Sequence, residues 1–377
     1  MSTMRDQVAI IVTAAIFGLT YGLSAPLIAL RLDDAGWGEL LIGLNAAMHA
    51  LGVLLIAPLL PSLTVRLGVG RTALLALCGA ALLLMLFPAV PALWLWLWFP
   101  LRLALGIASE TLFVVSETWI NQITTDATRA RSMAGYTASL SLGFALGPAL
   151  IVLVGSGGAG PFMLGSAGAL AAAAVLIAAR PHALPMERAR LMSPFRAFAL
   201  APIAMAATTL NAALEAAGLT LLPLYAIDLG WSQDRATLLI SILMLGAIVL
   251  QLPIGWLGDR FDRRRLATIL AVASALGAAI WPWGLAQPWL AYPLLFFWGG
   301  AFVGIYTLMI TILGSRFQGG ELVGLYAVLS ASWGVGALLG PPLGGAVMQM
   351  TTHGLPLFAA LGCAALALFM LSSRSTT

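Results

Sequence analysis

Twelve long apolar stretches determine what this chain can fold into. Each is long enough to cross the roughly 30 Å hydrocarbon core of a bilayer as an α-helix. Only 8% of the residues are charged, whereas soluble domains typically contain about 25%. Backbone in contact with lipid must satisfy its own hydrogen bonds, and this sequence lacks the alternating pattern of membrane β-strands. The sequence therefore predicts an all-α polytopic membrane protein with twelve transmembrane helices.

The predicted spans fall into two groups of six. They cover residues 7–30, 40–60, 72–90, 93–119, 132–154 and 161–179 in the first half, and 198–226, 236–256, 266–284, 289–314, 322–348 and 354–372 in the second. The first span is too long for a typical signal-peptide core, so we interpret it as a retained helix. We expect an N-terminal six-helix bundle at 1–179, a cytoplasmic linker at 180–197 and a C-terminal six-helix bundle at 198–377.

The two halves also repeat each other. At an offset of 194 residues the matching pairs are Trp37 and Trp231, Arg66 and Arg260, and Gly106 and Gly300, while Leu-Gly-Pro at 146–148 recurs at 339–341, one residue short of that offset. Internal repeats of this kind are a feature of transporter folds. The sequence predicts two related bundles that are inserted with the same orientation.

The distribution of basic residues predicts the orientation. All of them are arginine. If the N-terminus is cytoplasmic, only Arg31 and Arg235 fall outside, and Arg102 lies within a span. This asymmetry follows the positive-inside rule, so we expect both termini in the cytoplasm and the chain in a plasma membrane, the inner membrane in a bacterium. No basic face exists away from the lipid boundary, which argues against nucleic acid as a partner.

The densest run of charge follows the eighth span, from Pro253 to Arg265. Its order, with Gly255, Gly258, Asp259 and Arg260 followed by three further arginines, resembles the loop signature of the major facilitator superfamily. We expect a tight turn on the membrane surface, with small residues where helices approach and Asp259 capping a helix or pairing with arginine. The resemblance implies an inner gate that locks one conformation. Its predicted members are Gly255, Gly258, Asp259, Arg260, Arg264, Arg66, Arg71 and Glu117.

The first-half copy of this loop, from Pro61 to Arg71, is degraded. Pro61 replaces a glycine, and Val65 replaces the acid. Only the second copy keeps its carboxylate.

Two motifs in the fourth span extend the resemblance. Arg102 and Gly106 resemble the helix-4 motif of the superfamily, and the run from Glu117 to Asn121 resembles the Glu-Ser-Trp-Leu-Asn run of its YcaD-like branch. The resemblance covers essentially the whole chain. It implies the superfamily fold of two pseudo-symmetric six-helix bundles, with one central site exposed alternately to each side.

The fourth span carries three charges. Helical geometry places Glu110 and Glu117 about 20° apart around the axis, with Arg102 about 80° from Glu110. Isolated charges at membrane depth cost at least ~2.5–3.5 kcal/mol each, so these side chains should face a cavity or one another. A structural Arg102–Glu110 pair is one alternative, and a pair of Glu117 with Arg66, Arg71 or Arg131 is another.

Further polar and aromatic side chains are expected to line the central cavity. Asn211 and Glu215 lie one turn apart in the seventh span, Tyr21 is the repeat mate of Glu215, and Asn45 and His49 lie one turn apart in the second span. The second half adds Gln251, Trp298, Tyr306 and Trp333. Hydrogen bonds between helices, or simple packing, are the alternatives for this set. The candidates for proton coupling are Glu110, Glu215 and His49.

Tryptophan is concentrated near one predicted membrane surface. These residues are Trp94, Trp96, Trp98, Trp281, Trp283 and Trp289. Amphipathic indole rings suit the headgroup level, so we expect an interfacial belt.

These features favour a secondary active transporter for a small organic solute, working as a monomer and coupled to protons. Nucleotide-binding motifs, zinc spacings and catalytic triads are absent from the sequence, so we expect neither a cofactor, a metal nor enzyme activity. The alternatives are a drug or metabolite efflux antiporter, a receptor or scaffold that no longer transports, and a membrane-embedded enzyme using Glu110, His49 and Arg102. The Gly143–Pro148 run resembles the exporter motif but lacks its following glycine pair, which slightly disfavours efflux.

Overall fold

The computed structural model describes residues 4–124, 126–179 and 192–373. This part of the chain is built from fifteen α-helices joined by short turns. They are α1 Met4–Asp34, α2 Glu39–Ile56, α3 Leu60–Leu67, α4 Val69–Leu86, α5 Leu95–Ile123, α6 Asp126–Val154, α7 Gly160–Ala179, α8 Pro194–Leu200, α9 Pro202–Asp228, α10 Gln233–Val249, α11 Gln251–Arg260, α12 Arg263–Gly284, α13 Pro288–Arg316, α14 Gly319–Met350 and α15 Gly354–Ser372.

Twelve spans in the described chain are long and apolar enough to cross a membrane. They correspond one to one with the predicted spans, and the all-α fold class is confirmed. The second span joins α2 and α3 through a 3-10 turn at Ala57–Leu59, and the eighth joins α10 and α11. The short helix α8 occupies part of the predicted linker, most of which lies outside the described residues.

The expected tight turn from Pro253 to Arg265 is mostly helix. The eighth span continues to Arg260, and α12 begins at Arg263. Near a helix start a proline displaces few backbone hydrogen bonds, so Pro253 is accommodated at the third position of α11. The corresponding turn of the first half is a single residue, Gly68, whose φ of +86° favours glycine.

The described chain forms two compact units. Unit 1 contains Met1–Trp37 and Met48–Arg188, and unit 2 contains Gly38–Ala47 and Ala189–Thr377. The helix α2 is therefore shared, because its first half packs in unit 2 and its second half in unit 1. In unit 2, a Cβ built on Gly345 would overlap the carbonyl of Glu39.

Each unit has its own apolar core. In unit 1 the buried residues include Leu77, Val115, Trp119, Tyr136 and Leu176. In unit 2 they include Ile254, Leu308, Leu313, Leu329 and Met370.

Matching contacts in the two units establish the repeat in three dimensions. The indole N–H of Trp37 donates to the carbonyl of Ala92 at 2.9 Å, and that of Trp231 donates to the carbonyl of Leu285 at 2.7 Å. The two indoles are 194 residues apart in sequence. An identical anchor therefore holds the same turn in both halves.

Glycines allow close helix packing at equivalent places in the two units, between α2 and α5 in unit 1 and between α10 and α13 in unit 2. A Cβ on Gly106 would overlap the carbonyl of His49, and a Cβ on Gly299 would overlap that of Leu243. The structural mate of Gly106 is therefore Gly299, and the pairing with Gly300 is wrong by one residue. Small residues allow such backbone approach between membrane helices.

Candidate functional site

In unit 1, a polar cluster lies where α1, α2 and α5 meet. The Arg102 side chain is only 2% exposed. Its Nη1 donates to the Ser24 hydroxyl at 3.4 Å, whereas its Nε has no partner among the described residues. The rings of Tyr21 and His49 lie 4.7 Å apart. The close packing at Gly106 holds α5 against the His49 turn of α2. The structure therefore brings together three predicted site residues, Tyr21, His49 and Arg102.

An aromatic group next to this cluster was not predicted. Phe17 lies 5.3 Å from Phe113 and 5.8 Å from Phe144, and Phe144 meets Tyr21 edge-on at 5.6 Å. Phenylalanine is common in apolar spans, so nothing in the sequence distinguished Phe17, Phe113 and Phe144 as neighbours of Tyr21.

The two acids of α5 are half-buried. The alternative of an Arg102–Glu110 ion pair finds no support among the described ion pairs, and the described hydrogen bond of Arg102 is to Ser24. Neither Arg66 nor Arg71 pairs with Glu117 in the described part of the chain, and both arginines are exposed. The remaining candidate partner, Arg131, lies outside the described side chains.

Asn45 and His49 belong to different halves of α2. Asn45 is buried in the segment assigned to unit 2, and His49 is buried in unit 1. Neither amide atom of Asn45 has a hydrogen-bond partner in the described chain, and the same holds for His49 Nδ1. The alternative of helix-bridging hydrogen bonds therefore finds no support at these atoms.

In unit 2, Asn211 and Glu215 lie one turn apart on α9, as predicted from their spacing. The Asn211 amide donates to the Glu215 carboxylate at 3.4 Å. Glu215 lines a narrow cavity of about 20 Å³ together with Met244, Trp281 and Phe302, among other residues. The acid is thus in contact with an apolar, aromatic space inside a single unit.

The other predicted wall residues of unit 2 have mixed roles. The Trp298 indole lines the same cavity and donates to the carbonyl of Ser274 at 2.8 Å. Gln251 accepts a hydrogen bond of 2.5 Å from Thr307. Tyr306 and Trp333 are half-buried, without a place in that cavity's lining.

The expected interfacial belt is only partly present. Trp94, Trp96, Trp283 and Trp289 are exposed, in keeping with a membrane-surface position. The belt prediction is wrong for Trp98 and Trp281, which are each only 2% exposed. Trp281 instead lines the Glu215 cavity.

The charged loop after the eighth span makes contacts within unit 2. The Asp259 carboxylate pairs with Arg263 at 3.4 Å, and it is Asp262 that caps α12, by accepting from the Arg265 backbone N–H at 2.7 Å. The Arg260 guanidinium lies 3.7 Å from the centre of the Trp256 ring. A role of this loop in gating remains a prediction.

Two further members of the predicted gate have local roles. Arg264 donates to the carbonyl groups of Met370 and Ser373 and so caps the end of α15. A Cβ on Gly258 would lie 2.7 Å from Leu308, so close packing explains this glycine. A Cβ on Gly255 would meet no atom within 4 Å, so close packing does not explain that one.

These features define a class of protein. It is a multi-pass membrane protein with twelve spans in two repeated halves, and each half carries ionisable side chains within its spans. The family model of the Major Facilitator Superfamily matches residues 10–232 and 197–376. The chain therefore belongs to the major facilitator superfamily.

Known relatives and solved structures agree with this assignment. The chain is 28% identical over 350 residues to YfkF of Bacillus subtilis (strain 168), an uncharacterized MFS-type transporter, covering 90% of this chain and 88% of that protein. It is 30% identical over 129 residues to YcaD of Escherichia coli O139:H28, also an uncharacterized MFS-type transporter, covering 34% of this chain and 33% of YcaD. These matches place the chain in the YcaD-like group.

The fold is shared with two solved transporters. The nucleoside transporter NupG superposes with a TM-score of 0.77 at 16% identity, covering 98% of this chain and 99% of NupG. A D-xylose-proton symporter superposes with a TM-score of 0.75 at 16% identity, covering 98% of each chain. The family and these neighbours are transporters rather than enzymes, and the chain is accordingly a multi-pass secondary transporter for a small-molecule substrate.

Proposed function

We propose that the chain moves a small organic solute by alternating access and couples this movement to protons. The observation that carries the proposal is that each unit places a carboxyl group near the middle of a span. Glu110 lies within Leu95–Ile123, and Glu215 lies within Pro202–Asp228. Ionisable groups at this depth are costly and are typically retained for substrate or proton movement. His49, buried in unit 1, is the third candidate for proton exchange.

We also propose a plasma-membrane location, which in a bacterium is the inner membrane, with both termini in the cytoplasm. The support is the distribution of arginine along the sequence. One copy of the chain carries both repeats, so we propose that the monomer is the working unit.

Counterflow in proteoliposomes tests the transport itself. The panel contains sugars, nucleosides, amino acids and amines, which include the solute types named for the structural neighbours. We expect at least one solute to exchange across the vesicle membrane. A receptor or scaffold would instead be stabilised by a ligand without exchanging it, and this outcome would contradict the proposal.

Proton coupling is tested with Glu110→Gln and Glu215→Gln. We expect at least one variant to lose pH-driven accumulation but keep counterflow, because the amide cannot exchange a proton. Glu321→Gln is the matched control, since Glu321 pairs with Arg196 outside the site. If both variants accumulate solute as the unaltered protein does, the coupling assignment is wrong. The direction of net flux in the same vesicles separates uptake from efflux.

A further inference from the structure

We propose that the Glu215 cavity of unit 2 binds the primary ammonium group of the transported solute. This inference rests on the proposed transport function and names the chemistry of its substrate. Glu215 lines a cavity whose other members are apolar or aromatic, including Met244, Trp281, Trp298 and Phe302. Among the described residues of this lining, Glu215 is the one that carries a charge.

The carboxylate needs a cationic partner. Asn211 supplies one hydrogen bond at 3.4 Å, which is long for a charge-assisted contact. A carboxylate among apolar groups is strongly unfavourable unless it is neutralised or paired. The cavity lining contains no arginine or histidine in the part of the chain that the structure describes. Since no described residue of the lining supplies a positive charge, we assign the matching cation to a proton or a ligand.

The aromatic residues favour a ligand with a positive charge. Trp281 and Trp298 meet at 4.8 Å with their planes inclined by 69°, and Trp298 stacks on Phe302 at 4.9 Å. The hydrogen bond from the Trp298 indole to Ser274 fixes the orientation of that ring. Aromatic faces attract cations, most strongly when the site is desolvated. The rings and the carboxylate thus favour the same charge.

The size of the cavity selects the kind of cation. A volume of about 20 Å³ accommodates one group of the size of a water molecule. A primary ammonium is a compact group with three donors, whereas a quaternary ammonium is far larger and has no donor. A cavity of this size takes the ammonium group alone, so the rest of the ligand must lie outside it.

The repeat places a cation at the equivalent position of unit 1. By the matched contacts, Glu215 corresponds to Tyr21, Gly218 to Ser24 and Leu243 to His49. Gly218 and Leu243 both line the cavity. In unit 1 the guanidinium of Arg102 reaches this position and contacts Ser24. The fold therefore accepts an organic cation there, which unit 1 supplies from its own chain.

Binding to the purified full-length protein in detergent tests the proposal. The probes are 2-phenylethylamine, its neutral analogue 2-phenylethanol, the anion 3-phenylpropionate, and trimethyl(2-phenylethyl)ammonium. Isothermal titration and ligand-dependent unfolding temperature are the readouts. We expect 2-phenylethylamine to bind most tightly. We expect Glu215→Gln to lower the affinity for this amine by roughly tenfold or more, as loss of a charge-assisted hydrogen bond predicts. Glu321→Gln should bind the amine as the unaltered protein does.

Phe302→Leu is a second variant, useful if Glu215→Gln fails to fold. It should weaken binding of the amine more than binding of the alcohol, because only the cation is attracted to the face of the aromatic ring. Three results would each overturn the proposal: the amine and the alcohol bind equally, the amine binds equally to Glu215→Gln, or the quaternary probe binds more tightly than the primary amine. Counterflow of any panel solute despite such a result would leave the transport function intact. Amine binding without any counterflow would support the site and contradict transport.

Discussion

Arg102 presents a guanidinium buried within the fourth span with little to hold it. Its Nη1 contact to Ser24 is long, at 3.4 Å, and its Nε has no partner among the described residues. Gly106 and Gly299 make equivalent contacts, and Arg102 and Leu295 each lie four residues before them. Leu295, which is fully buried, is therefore the equivalent of Arg102 in unit 2. The fold therefore does not need a charge at this position. We infer that Arg102 is retained for transport.

We predict that Arg102→Leu keeps or raises the unfolding temperature but abolishes transport. Replacing buried charge by apolar side chains is often neutral or stabilising by about 1–4 kcal/mol. Thermal unfolding in detergent and counterflow in vesicles provide the two measurements. Arg235→Leu, at an exposed position, is the control and should change neither quantity. A clear drop in the unfolding temperature of Arg102→Leu would assign this arginine to folding instead.

Among the elements, the helix pairs α2–α5 and α10–α13 are packed through glycines. A Cβ on Gly52 would lie against α5 near Leu103, and a Cβ on Gly246 would overlap the carbonyl of Phe296. The two glycines are repeat mates, 194 residues apart. Backbone contact at these positions leaves no room for a methyl group.

We predict that Gly52→Ala and Gly246→Ala each destabilise the protein by about 1–3 kcal/mol, the usual cost of overpacking. Gly79→Ala is the matched control, because a Cβ there meets no atom within 4 Å. Alanine within a helix should leave stability unchanged or raise it by up to about 1 kcal/mol. Thermal unfolding of the three variants checks this, and an equal loss at Gly79 would refute the packing argument.

The number of spans, their order and the repeat could be predicted, because membrane helices need long apolar stretches. The ends of the second and eighth spans could not be predicted. The apolar run ends where charged residues begin, whereas the helical backbone continues to Leu67 and Arg260. The burial of Trp281 was also missed. Lipid is as apolar as a protein interior, so composition does not reveal which face of a span is buried. The pairing of Asn211 with Glu215 followed from local spacing, whereas the contact of Arg102 with Ser24 depends on packing between distant helices.

At the scale of the whole molecule, the distribution of arginine predicts an orientation in the membrane. We predict that a green fluorescent protein fused after the last residue is fluorescent in bacterial cells and that alkaline phosphatase fused there is inactive. Both results follow from a cytoplasmic C-terminus. Phosphatase inserted in the turn after Asp228 should be active, because the predicted orientation places that turn on the opposite side of the membrane from the C-terminus. The reverse pattern would contradict the orientation.

The sharing of α2 between the units has a consequence for how the chain is made. Residues 38–47 belong to unit 2, yet they are synthesised with the first repeat, and Glu39 leaves the ribosome roughly 300 residues before Gly345, against which it packs. Domains generally fold as units in the order of synthesis. Here, however, the first half of α2 lacks its final neighbours until α14, which carries Gly345, has been synthesised. Completion of the packing around α2 therefore depends on a helix that is made much later in the chain.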